Sequence, residues 1–161
     1  GTIENIYMTR VSAENVRQVL AADLNWNPSY SYSTLPKEYE GKEIPEHWKV
    51  MLTPVEPPEK GYPRFRDIYL SQVKAENVDE FISASGWNDS LRLENFYLHA
   101  IKATTNSLGK ICYTRNFNLS DITLYAKNRN DMELKENEQS NIHFDYVKTT
   151  TDRRTAGNLP H

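Results

Sequence analysis

The residues able to move protons or hold a metal are few and scattered. Asp23, Asp67 and Asp121 stand in separate stretches, the histidines are His47, His99, His143 and His161, and Cys112 is the only thiol. Two carboxylates on one face could serve as general acid and base. Asp67 in "RDIY" and Asp121 in "SDIT", however, occupy the position held by Asn5 in "ENIY" and Asn95 in "ENFY". Amide and carboxylate exchanging at one position mark a turn residue that bonds nearby backbone, so both aspartates are expected to be structural. Asp23 differs, because it leads into the aromatic run "LNWNPSYSY". A metal site needs three or four converging donors, and "HFD" at His143 offers two. Calcium would need acids clustered on one face, so no metal or cofactor is expected. A single cysteine excludes an internal disulfide and a thiolate cluster, and "KICYT" makes Cys112 a buried small hydrophobe.

The other chemistry on offer is aromatic. From Asp23 to Pro63 the chain carries seven of its eight prolines and two of its three tryptophans. A loop of that size is usually functional, and its rings argue for order. Trp26, Tyr30 and Tyr32 are expected to form the wall of a sugar-binding cleft, since apolar sugar faces pack on rings while polar rims take hydrogen bonds. Residues 24–63 thus read as one insertion, with a short helix at "IPEHWKVML" where Pro45 suits a first turn.

What must position this insertion is a repeat. "IENIYMTRVSAENV" from Ile3 returns as "FRDIYLSQVKAENV" from Phe65, as "LENFYLHAIKAT" from Leu93 and as "LSDITLYAKN" from Leu119. Apolar and polar residues alternate within each copy, the period of a strand with one buried face. Starts lie 62, 28 and 26 residues apart, the first interval containing the insertion. A unit of roughly 25 residues with several short strands is one coil of a parallel β-solenoid, in which equivalent residues stack about 4.8 Å apart. The alignment predicts inward columns (Ile3, Phe65, Leu93, Leu119; Ile6, Ile68, Phe96, Ile122; Met8, Leu70, Leu98, Leu124). Outside them it predicts a charged column of Glu4, Arg66, Glu94 and Ser120, and a stack of Tyr7, Tyr69 and Tyr97. "SNIHFDYVKTT" adds a weaker fifth strand with Ile142 and Phe144 inward, "KNRNDMELKENEQS" reads as a loop or a fraying edge, and 148–161 as a loosely held tail.

The fold class expected is therefore all-β, with about four to five coils over a single domain of residues 1–161. Mixed signs and a formal charge of -3 give no basic stripe for nucleic acid. No apolar run approaches the roughly 20 residues of a membrane-spanning helix.

The coil pattern, the following "RQVLAADLNWNPSYS", the proline-rich excursion ending "HWK…TPVEPPEKG" and the second "F.DIYL..VKAENV" resemble the C-terminal coils of bacterial polygalacturonase-like glycoside hydrolases, the pectin-degrading family numbered twenty-eight. The resemblance spans roughly residues 1–127. It implies a right-handed parallel β-helix and an inverting hydrolysis of α-linked galacturonic-acid polymers, in a secreted or periplasmic protein. Inverting enzymes need two carboxylates roughly 6.5–9.5 Å apart. The family carries its own in Asn-Thr-Asp, Asp-Asp, Gly-His-Gly and Arg-Ile-Lys, and none of these strings occurs here. The resemblance thus implies C-terminal coils that supply part of the substrate cleft through the Asn25 to Tyr32 loop, with Asp23 or Asn25 facing it, no catalytic residue in this chain and no activity alone. Arg17 and Lys49 are then candidates to meet uronate carboxylates. A regular strand opening at the second residue predicts an uncovered N-terminal strand edge, to be met by preceding coils, by another copy or by solvent. The alternative is a non-catalytic carbohydrate-binding or structural β-solenoid that uses the tyrosine stack as its platform.

Overall fold

A computed structural model describes residues 1–24, 34–127 and 132–149. The chain is all-β, and its strands form one parallel sheet. Strand β1 is Thr2–Glu14, β2 Gln18–Asp23, β3 Arg64–Ser85, β4 Leu93–Ala126, β5 Met132–Glu138, β6 Asn141–Ile142 and β7 Asp145–Lys148. β3 pairs with β1 and β2 on one side and with β4 on the other, and β4 carries β5, β6 and β7. No helix among the described residues is long and apolar enough to cross a membrane.

These strands are long because they bend without breaking their pairing. Left-handed residues recur at intervals of five, at Asn5, Arg10 and Asn15 in β1 and its end, and at Asp67, Gln72 and Asn77 in β3. Asn and Asp enter this conformation more cheaply than other side-chain-bearing residues, which explains why the first bend of each repeat is Asn or Asp. Because each partner bends at the same place, the ladder continues through the corner: Ile3 pairs with Phe65, Tyr7 with Tyr69 and Val11 with Val73. Phe65, Tyr69 and Val73 pair in turn with Leu93, Tyr97 and Ile101. Each level of this ladder is called a rung below.

The structure corrects the repeat at its fourth copy. Asn95 is joined by Asn116, Glu94 by Arg115, His99 by Ser120 and Phe96 by Phe117, their rings stacked at 5.1 Å. The second half of β4 thus lies beside its first half at an offset of 21 residues, five fewer than the apolar pattern suggests. The inward columns run Ile68, Phe96, Phe117 and Leu70, Leu98, Leu119, and Asp121 moves to the second bend with Arg10, Gln72 and Ala100. The five-residue interval between bends is the reason for the error, since a slip of one interval returns a similar local pattern. "KNRNDMELKENEQS" also departs from expectation, because Met132–Glu138 forms β5, in register with Gly109–Arg115. Its charges point outward and extend the ladder of Glu4, Arg66, Glu94 and Arg115 to Glu138.

The core is the inside of this stack, with Phe81, Phe96, Phe117, Ile82, Leu98 and Ile111 among its fully buried side chains. Burying each contributes about 1.5–3 kcal/mol. Exposure rises toward the first rung. Met8 is 42% exposed although Leu70 and Leu98 of its column are buried, because among the described residues β1 has a partner on one side only.

Candidate functional site

Three connections leave the stack at the same corner. β2 ends at Asp23 beside Ser85 of β3, and Ser85 lies beside Cys112 of β4. At this corner the lowest level opens into the insertion of residues 24–63, the next into the seven residues Gly86–Arg92, and the one above into the single left-handed residue Tyr113. The insertion and the shorter turn stand next to each other, and a cleft forms between them.

The insertion returns through short pieces. Lys37–Tyr39 and Pro58–Gly61 are 3-10 turns, and Glu46–Leu52 is a helix, α1, begun by Pro45 at its N-cap. The Tyr39 and Trp48 rings meet at 6.5 Å. Glu56–Pro57 is a cis peptide.

The turn opposite is held rigidly by its own polar groups. Gly86 starts it because a Cβ there would sit 2.3 Å from the Tyr113 carbonyl. The Trp87 amide donates to the Leu91 carbonyl at 2.8 Å, and Asn88 Oδ1 accepts from the amides of Ser90 and Leu91 at 2.9 and 3.0 Å. Arg92, its side chain 3% exposed, braces the turn from beneath through Asp89 and Glu138 at 3.2 and 3.1 Å. It also donates to the Glu136 carbonyl. A buried guanidinium with this many acceptors is a structural cation.

Between the two segments lies a cleft of about 590 Å3 bounded by Val55, Tyr62, Pro63, Trp87, Asn88 and Leu91. It adjoins a second hollow of about 290 Å3 that shares Tyr62, Pro63, Ser90 and Leu91 and reaches Arg64, Arg66 and Arg92. Tyr62 is 44% exposed, and Trp87 is half-buried. The three cations differ in availability. Arg92 is engaged as above, and Arg66 is held by Glu4 at 2.7 Å and Asp67 at 3.5 Å. Glu4 raises the Arg66 pKa above its ordinary value, first by hydrogen bonding and then by charge. Arg64 is exposed, and its guanidinium forms no ion pair with any described residue. The arrangement offers two rings, an amide and one uncommitted cation, the set that suits a sugar bearing a carboxylate.

Of the residues singled out from sequence, Asp23 lies at this corner, in register with Ser85 and therefore two residues from the rung of Trp87. Asn25, Trp26, Tyr30 and Tyr32 lie outside the described residues. Lys49 is paired with Glu46 at 3.2 Å on α1. The sequence reading missed Tyr62, Arg64 and Trp87. The signal for Trp87 was present in "SGWNDS", a large ring set among turn-forming residues with no apolar neighbour to bury it. Arg64 gave no such signal, because only the pairing of its neighbours leaves it uncommitted.

Asp67 and Asp121 occupy bends of the strands. Asp67 Oδ1 accepts from Asn95 Nδ2 at 2.8 Å at a left-handed bend, and Asp121 sits at another. Among the described residues no three of His, Cys, Asp and Glu converge on a point. The tyrosine stack is present, with Tyr7 on Tyr69 at 4.6 Å and Tyr69 on Tyr97 at 4.9 Å, planes within 10° of parallel. Its rings cover one another's faces, so Tyr69 has no face left for a sugar, and Tyr7 at the end of the described stack is exposed. No protein-family model, curated protein or solved structure matches the chain.

Proposed function

We propose that the chain is a right-handed parallel β-helix forming the C-terminal coils of a polygalacturonase-like glycoside hydrolase. On this reading it binds α-linked galacturonate polymers of pectin in the Tyr62–Trp87 cleft and contributes no catalytic aspartate. In-register parallel pairing with offsets of 62 and 28 residues supports the solenoid, as does the column of aromatic and aliphatic residues inside it. The observation that carries the ligand class is Arg64, a cation without an ion pair among the described residues in the hollow that adjoins the Tyr62–Trp87 cleft, while Arg66 and Arg92 are held by acids. A uronate chain repeats one carboxylate and one apolar sugar face per residue, which such a site can meet together. A polymer of this size points to a secreted or periplasmic place of action.

Calorimetric titration of trigalacturonate against the chain tests the reading, with a neutral galactose trimer as the control. Arg64→Ala is expected to weaken uronate binding about tenfold, the value of one charge-assisted contact, while leaving the unfolding midpoint in place. Trp87→Ala is expected to weaken it further. Equal binding of the neutral trimer, or indifference to both substitutions, would discard the uronate cleft. Reducing-sugar release by the pure chain would show that one of its own carboxylates is catalytic.

A further inference from the structure

We infer that the outer face of β3 and β4 carries a second binding site for an acidic sugar residue, in the hollow between Lys102, Thr104 and Tyr125. The hollow follows from the pairing of the described strands, whereas the identity of its ligand rests on the uronate reading of the cleft.

A change of register makes the hollow. β1 and β3 reach their third corner with the left-handed residues Asn15 and Asn77, but β4 turns there with one residue fewer. Ala75 pairs with Ala103 and Val78 with Thr105, so Glu76 and Asn77 together oppose Thr104 alone. This is a bulge, a device that re-aims the side chains around it. Beside it lies a hollow of about 250 Å3 lined by Lys74, Glu76, Lys102, Thr104 and Tyr125. Glu76 pairs with Glu14 on one side and Tyr125 with Val147 on the other, so the hollow lies within the stack and not at its end. The bend at Asn77 separates it from the turn Gly86–Arg92 and the cleft.

Polar groups elsewhere on the outer columns bond from rung to rung, as Arg66 does with Glu4, Ser71 with Thr9, His99 with Ser120 and Gln18 with Glu80. At this hollow the pattern breaks. Lys74 and Glu76 hold each other at 2.8 Å, which raises the lysine pKa and lowers that of the glutamate, by hydrogen bonding first and by charge second. Lys102 stands in register with Lys74 and forms no ion pair with any described residue, and the hydroxyls of Thr104 and Tyr125 bond to none. Lys102 and Thr104 are exposed and Tyr125 is half-buried. One cation, two hydroxyls and a ring thus face one hollow. A small inorganic anion would engage Lys102 alone, and a neutral sugar would leave it in water. A uronate residue meets all four, with its carboxylate on the ammonium, its hydroxyls on Thr104 and Tyr125 and its apolar face against the ring.

Amide NMR of the isotopically labelled chain titrated with trigalacturonate locates the binding, with a neutral galactose trimer as the control. Saturable shifts are expected at Lys102, Thr104 and Tyr125. Lys102→Met should weaken the binding they report about tenfold, the value of one charge-assisted contact, while leaving the shifts around Trp87 and the unfolding midpoint in place. Lys102→Arg, which keeps the charge, should retain the binding, and Arg64→Ala should weaken only the shifts around Trp87. Shifts at Lys102 with none around Trp87 would uphold this site and discard the cleft. No saturable shift at the three residues, an equal shift with the neutral trimer, or indifference to Lys102→Met overturns the inference.

Discussion

Asn116 donates from Nδ2 to Asn95 Oδ1 at 2.8 Å and to the Tyr97 hydroxyl at 2.7 Å, while Asn95 donates to Asp67 at 2.8 Å. Asn116, Asn95 and Asp67 are left-handed, with φ of 54°, 57° and 59°. The same side chains therefore make the bend affordable and tie one rung to the next. Asn116→Ala should cost about 2–4 kcal/mol, from the left-handed strain of an alanine and the lost bonds. Asn116→Gly keeps the backbone geometry and should cost less. Urea unfolding of the two variants checks the order, and equal losses would show that conformation contributes nothing.

Gly109 also has a positive φ, at a point of close approach to the next strand. At φ +88° a Cβ would lie 1.9 Å from the Ile82 carbonyl oxygen, an atom of the adjoining strand that cannot swing aside. Gly109→Ala is expected to cost about 3 kcal/mol or more, a larger loss than any surface substitution gives. Thermal unfolding would register it as a fall in Tm, and an unchanged Tm would refute the close approach.

Arg115 sits between two acids, Glu94 and Glu138, and is about half exposed. Each such surface pair contributes about 0.2–1 kcal/mol. Arg115→Glu replaces two attractions by two repulsions, so its loss of stability should exceed that of Arg115→Ala. Raising salt to about 1 M, where the screening length falls to about 3 Å, should bring the two variants together. Stability measured in low and high salt decides this, and a salt-independent gap would count against the charged column.

Burial pushes the Cys112 thiol above its usual pKa, with Glu133 adding to the shift and Lys110 and Lys135 opposing it. The folded protein therefore keeps the proton at a pH where the unfolded chain, titrating near about 8.5, releases it. Its contribution to stability is whole below that pH and shrinks as pH rises above it. A chromogenic disulfide reagent at pH 8 should react with Cys112 only as fast as the protein opens. Prompt stoichiometric reaction in native buffer would contradict the burial.

The alternation of apolar and polar residues and the recurring Asn or Asp were enough to determine strands, the Tyr7–Tyr69–Tyr97 stack and the columns of the first three copies. These are local or strictly periodic properties, and side chains two apart must share a face in any strand. Tertiary structure decided what periodicity leaves degenerate. A chain bending every five residues can slip by five and still look regular, so only packing of Phe117 on Phe96 and pairing of Arg115 with Glu94 fixed the fourth copy. The cleft was hidden for a related reason. Tyr62 and Trp87 belong to two separate connections that meet at one corner of the stack, and Arg64 opens the strand that follows the first. Arg64 stands out only after the contacts of Arg66 and Arg92 are counted, and those contacts are set by strand register rather than by sequence neighbours.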